Sequence, residues 1–310
     1  MLRGERISRG ERGSEGGEFI GWISVDGGGK VAWQARVMLK YQIIQDIFVL
    51  CAVFSVIGML LYWVTRSGVE PEDEEERLGP LDLLGAGTIF LLYFYFHHAS
   101  AQAAGSGVDN EITPLLIVMS MAVQVVISGA VLAFLAPRVE LIGHLGLRWP
   151  GWRWIALIAP AGVVGTWLVA WVVDLSAYTE WVENLLNERA VQSSVTALQE
   201  SRDPVLLGLM GVAVVVVAPV TEELIFRGYL FPVLRRFTGV SFAAVMSGLI
   251  FAVAHGELGA LPILFFLGVL LALVYQRSGS IWAPIGVHAL FNLMTVLASI
   301  AMRVAPNVPG

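Results

Sequence analysis

The stretch Thr221 to Arg227, TEELIFR, decides how this sequence is read. It sets Glu222, Glu223 and Arg227 inside strongly apolar sequence, with VAVVVVAPV before them and Ile225, Phe226, Tyr229, Leu230 and Phe231 around and after. An ionisable side chain at a bilayer centre costs roughly 2.5–3.5 kcal/mol on insertion scales, so such groups face one another or water and mark functional sites. On a helix, Glu223 and Arg227 stand four apart on one face with the acid N-terminal to the base, the better order for an ion pair. Glu222 is turned about 100° away. One carboxylate is thereby expected to be structural and its neighbour free. The competing reading is a buried ion network that only locks two helices.

Working outward, the composition says what surrounds those charges. Of 310 residues, 56% are hydrophobic and only 14% charged, which excludes a soluble domain of ordinary make-up. The expected fold is all-α: a polytopic integral membrane protein of about eight transmembrane helices enclosing a polar intramembrane site, with spans at 43–64, 81–96, 112–136, 154–173, 205–220, 242–255, 260–275 and 281–302. The fifth continues through the acidic pair to Arg235 and Arg236. Several of these spans are short, which suits helices embedded in protein on most sides. Gln124, central in the third span, is expected to form an interhelical hydrogen bond, and Pro160 to kink the fourth. Residues 177–202 carry Trp181, Leu185, Leu186, Val191 and Val195 at helical spacing among polar residues, as an interfacial amphipathic connector would.

Other features read more plainly. Residues 1–40 form a disordered or interfacial tail rich in Gly, Arg, Glu and Ser. The chain then divides into N-terminal transmembrane helices over 41–136 and a catalytic transmembrane core over 137–302. The acidic run Glu70 to Glu76 reads as a solvated loop, His97 and His98 as interfacial anchors, and the single Cys51 as a small buried hydrophobe that forms no internal disulfide. Net charge is −6 and no basic patch interleaved with aromatics occurs, which argues against nucleic acid. Charge also leaves the orientation open: the basic residues before the first span argue for a cytoplasmic N-terminus, whereas alternation over eight spans would then place Arg235, Arg236 and Arg277 outside.

Two more polar insertions lie downstream of the acidic pair. Phe251 and His255 end the sixth span, and His288 and Asn292, four apart on one helix face, lie inside the eighth. Three helices thus each carry unusual polar groups and are otherwise nearly bare of them. Such a set suits hydrolysis. A carboxylate in a low-dielectric pocket holds a proton more readily, so it can take one from water and return it to a leaving amine. A neighbouring histidine can hold the water, and a histidine and an amide from another helix can donate to the oxyanion. No Ser or Cys nucleophile has a comparable setting, and HExxH is absent.

The ordered triple EExxxR (Glu222, Glu223, Arg227), FxxxH (Phe251, His255) and HxxxN (His288, Asn292) resembles the CPBP family, which comprises CAAX prenyl protease type II enzymes and bacterial Abi-type bacteriocin-processing or immunity proteins. The resemblance covers roughly residues 140–302. It implies an intramembrane endopeptidase of a bacterial inner membrane, acting on a membrane-associated protein or peptide within the lipid bilayer. By motif position, Glu222 would be the general base, His255 its assistant, and His288 and Asn292 the oxyanion donors. Glu223, Arg227 and Phe251 would support the site. The family is often labelled metalloprotease, and Glu222, His255 and His288 are zinc-ligand types; water activation without a cofactor is the expectation, zinc the alternative. A catalytically silent scaffold or self-immunity protein is the alternative function. A transporter would call for an internal repeat, and the sequence has none.

Overall fold

The computed structural model describes residues 43–44, 46–47, 113–186, 198–199 and 201–304. The expected second span, the acidic run, Cys51 and the His97–His98 pair lie outside the described residues, as does nearly all of the first span. The described residues are helical, without strands, and five of their helices are long and apolar enough to cross a membrane. The protein is an all-α polytopic membrane protein.

Helix α1 runs Pro114–Leu135, α2 is the single turn Leu141–His144, and α3 is Ile155–Leu175, entered through a 3-10 turn at Trp152–Trp154. The short α4 (Tyr178–Leu186) leads towards α5, a continuous 35-residue rod over Pro204–Thr238. Then come α6 (Val240–Ala254), α7 (Leu261–Ser278) and α8 (Trp282–Val304). The six spans expected from 112 onward all correspond to these helices. Pro160 lies inside α3, which runs on past it.

α5 runs alongside α1. Thr221 Oγ1 donates to Gln124 Oε1 at 3.1 Å, and the Phe134 and Tyr229 rings meet edge to face at 5.7 Å. Gln124 is midway along α1, whose 22 residues rise about 33 Å, the thickness of a hydrocarbon core. Thr221 and Glu222 are therefore held near mid-depth. The 15 residues of α6 rise only about 22 Å, less than the thickness of a hydrocarbon core. His255 caps its end, and the chain turns back into α7. The α6–α7 hairpin closes tightly at Gly248 and Gly268: a Cβ on Gly268 would meet the Gly248 Cα at 2.7 Å.

Two π-helical turns, Ala213–Val217 and Phe226–Leu230, interrupt α5 on either side of Glu222 and Glu223. Each is followed within two residues by a proline, Pro219 or Pro232. At the first, the Ala218 N–H bonds back five residues to Ala213 O, so the next carbonyl, Val214, would need an N–H from residue 219. Proline has none. Asn292 Nδ2 of α8 supplies the donor at 2.8 Å. At the second, the α-helical donor to Gly228 O would be residue 232, again proline, and His144 Nε2 donates instead at 2.8 Å.

That histidine belongs to a plug, residues 141–147, inserted between α5, α7 and α8. Tyr275 Oη donates to His144 O at 2.6 Å, Ile281 N to Leu145 O at 2.8 Å and Trp282 Nε1 to Leu147 O at 3.1 Å. Gly146 has a φ of 61°, and a Cβ there would fall 1.8 Å from Gly279 O, so no other residue fits.

Candidate functional site

Glu223 is the anchor. Its Oε1 accepts from Arg227 Nη1 at 2.8 Å and from His288 Nδ1 at 3.0 Å, so one carboxylate oxygen ties two turns of α5 to α8. Arg227 Nη2 donates to Gly268 O at 2.8 Å, which adds α7. That reach depends on the glycine crossing, because bulk at Gly248 or Gly268 would push α7 away. Glu223 and Arg227 are both fully buried, where a charge persists only if paired and hydrogen-bonded. Phe251 of α6 completes the anchor: its ring lies 4.8 Å from the Arg227 Cζ, 5.6 Å from the His288 ring and 4.7 Å from the His255 ring.

Glu222 faces the other way and meets two imidazoles. Its Oε2 lies 3.8 Å from His255 Nε2 and 4.0 Å from His288 Nε2, and it has no hydrogen-bond partner among the described residues. Both separations exceed hydrogen-bond length. The protons on the two rings follow from their other nitrogens. His255 Nδ1 lies 2.8 Å from Phe251 O, and a carbonyl can only accept, so Nδ1 carries hydrogen and the neutral ring presents a lone pair at Nε2. His288 Nδ1 likewise donates to the Glu223 carboxylate and directs Nε2 at Glu222.

Exposure rises from the anchor outward. The side chains of Glu223 and Arg227 are 0% exposed, Glu222 10% and His255 22%. Glu222 is thus least enclosed on the His255 side, where α4 packs. There, Tyr178 Oη donates to Leu258 O at 2.6 Å in the turn that follows His255, and burial pushes its phenol pKa up, keeping it a donor. Val182 and Leu186 of α4 pack with Val253 and Leu258. The amphipathic connector expected at 177–202 is a helix over Tyr178–Leu186, and it holds the turn beside His255.

Glu222, His255 and His288 are brought together as the sequence suggests. Asn292 is placed differently: one amide N–H goes to Val214 O, committing that proton to the helix backbone and leaving one. As for zinc, among the described residues no three His, Cys, Asp or Glu side chains stand in a metal-holding arrangement. Separations of 3.8 and 4.0 Å are wide for donors that each lie about 2.0–2.1 Å from one tetrahedral zinc. The residues as placed do not fit the ion. His144 went unnoticed in the sequence; its signal is the pair of prolines, Pro219 and Pro232, inside an apolar helix.

Comparison with known proteins adds a family to this geometry. Residues 204–294 match the family described as Type II CAAX prenyl endopeptidase Rce1-like. All seven motif residues, from Glu222 to Asn292, fall in this Rce1-like segment. The same region is 35% identical over 89 residues to a Bacillus subtilis protein named membrane peptidase YdiL, covering 29% of this chain and 36% of that relative. It is 33% identical over 88 residues to the membrane-embedded CAAX protease MroQ of Staphylococcus aureus, covering 26% of this chain and 36% of the relative. The chain thus spans about a third of the length of these curated relatives. No solved structure matches significantly. The Rce1-like segment takes in α5 to the greater part of α8, whereas Gln124 and the 141–147 plug brace it from outside.

Proposed function

We propose that this chain is an intramembrane endopeptidase that hydrolyses a peptide bond of a membrane-associated protein or peptide with water activated by Glu222. The observation that carries the proposal is the convergence of two imidazole Nε2 atoms on one carboxylate oxygen that has no hydrogen-bond partner among the described residues. Glu223 Oε2 also lacks a partner among the described residues, so what sets Glu222 apart is the pair of imidazole Nε2 atoms aimed at its oxygen from beyond hydrogen-bond length. The Rce1-like match and the two relatives named as peptidase and protease support the same reading. A CAAX-type substrate and a bacterial inner-membrane location are part of the proposal.

The proposed steps follow from the protons on each ring. A water placed between the three groups gives one O–H to Glu222 Oε2 and the other to the lone pair of His255 Nε2. Glu222 takes the first proton as the oxygen attacks the scissile carbonyl carbon, and negative charge moves to the carbonyl oxygen. His288, held through Nδ1 by the Glu223 carboxylate, donates Nε2–H to that oxygen when it carries its second proton. The remaining Asn292 N–H is the second donor. Glu222 then passes its proton to the nitrogen of the breaking C–N bond, releasing an amine and a carboxyl terminus. No metal is required.

The test compares the N-termini of membrane proteins by mass spectrometry in cells carrying equal amounts of wild type or Glu222→Gln. Termini present only with wild type would establish proteolysis and name the substrate. Identical termini under several growth conditions would overturn the protease reading in favour of a silent scaffold or immunity protein.

A further inference from the structure

The two ends of the bundle differ in charge. At the end where α1, α5 and α7 finish, the described residues carry six arginines, Arg138, Arg148, Arg153, Arg235, Arg236 and Arg277, against a single acid. That acid, Glu140, is occupied in capping α2 through the N–H groups of Ile142 and Gly143. At the end where α4 and the turn after His255 lie, Asp174, Glu180, Glu183, Asp203 and Glu257 predominate. The catalytic proposal uses none of the arginines at the basic end.

A groove of about 500 Å³ opens at that basic end between α3 and α7. Its walls are Ile158 of α3 with Leu270, Leu273 and Val274 of α7, and its mouth carries Trp149, Trp154, Arg277 and Ser278. Leu270, Leu273 or Val274, and Arg277 follow at helical spacing, so the apolar stripe runs about 10 Å along α7 and ends at the guanidinium. Deeper in the bundle the groove closes because the two helices converge: a Cβ on Gly162 would stand 3.4 Å from Leu270, and one on Gly165 3.9 Å from Phe266. Arg277 is exposed and makes no hydrogen bond or ion pair among the described residues. Arg148 at the same end is equally unpaired.

We propose that this groove binds one anionic phospholipid, with its phosphate on Arg277 and one acyl chain between α3 and α7. The chemistry on each part selects that occupant. An apolar slot open to the side of the bundle takes a hydrocarbon chain, the two tryptophans mark the headgroup level, and the unpaired guanidiniums of Arg277 and Arg148, with no free acid nearby among the described residues, select an anion. A zwitterionic lipid would bring an ammonium group into a field of arginines. The site lies at the opposite end from the turn after His255, so it is separate from the proposed hydrolytic centre.

The experiment is native mass spectrometry of the full chain in detergent, titrated with dioleoyl phosphatidylglycerol or dioleoyl phosphatidylcholine. Wild type should take up one phosphatidylglycerol saturably and in preference to phosphatidylcholine. Arg277→Gln should weaken it by about fivefold, the effect of one basic residue at an anionic headgroup, while Arg277→Lys keeps most of the binding. Val274→Trp, which fills the slot, should weaken both lipids. Equal affinity for the two lipids, or several equivalent adducts unchanged by Arg277→Gln and Val274→Trp, would overturn the proposal. So would inorganic phosphate binding as tightly as the lipid, which would assign Arg277 to a soluble anion.

Discussion

Glu222 and Glu223 are neighbours in sequence and both buried, yet the surface of α5 around one is closed and that around the other is open. On the Glu223 side one oxygen, Oε1, takes both donors while Oε2 has none among the described residues: Arg227 and His288 meet Oε1, Arg227 reaches on to Gly268, and Phe251 covers the guanidinium. On the Glu222 side two imidazoles stop near 4 Å from an oxygen with no hydrogen-bond partner among the described residues. The difference teaches how a membrane helix can hold one of two adjacent carboxylates out of its neighbour's network, as the proposed mechanism requires. The adjacent acid is tied to three other helices, and that rigidity keeps the free one from collapsing onto a partner.

The largest expected effect on the closed side comes from Arg227→Ala, which strands Glu223 as a buried charge and should destabilise the fold by about 3–5 kcal/mol. Unfolding in mixed detergent micelles reads this, and a variant as stable as wild type would dissolve the distinction between the two sides. Asn292→Leu removes the donor that replaces the missing N–H of Pro219 and leaves Val214 O unsatisfied, at a cost of about 1–3 kcal/mol. If Asn292→Leu lost activity with no loss of stability, the amide would belong wholly to the open side. Gln124→Leu should cost least, about 0.6 kcal/mol, the average for an interhelical hydrogen bond in a membrane protein. A larger fall in turnover than in stability there would show that α1 positions Glu222 through Thr221.

Much of the closed side could be read from spacing alone. Glu223 and Arg227 four apart on a helix define their pair, and Gln124, one amide in an apolar span, needed a partner and has Thr221. The convergence of His255 and His288 followed from three ordered motifs. Spacing said less about Asn292. Sharing a helix face with His288 placed it near the site, but its main partner was decided by a π turn and a proline on another helix. The plug at His144 was hidden for the same reason: the backbone carbonyl it satisfies is orphaned by Pro232, a defect with no side-chain signature near residue 144. The short α6 was legible from its length, but only the structure shows that α4 packs against the turn beside His255.

The central claim, that adjacent carboxylates divide into a free catalytic group and a structural one, is tested most directly by measuring turnover and unfolding together for Glu222→Gln and Glu223→Gln. The account predicts that Glu222→Gln loses about 10²–10⁴-fold in turnover, the usual contribution of a general base, with stability equal to or above wild type. It predicts that Glu223→Gln unfolds far more easily. A Glu222→Gln variant that cleaves at near wild-type rate, or a Glu223→Gln variant that is inactive yet as stable as wild type, would contradict it.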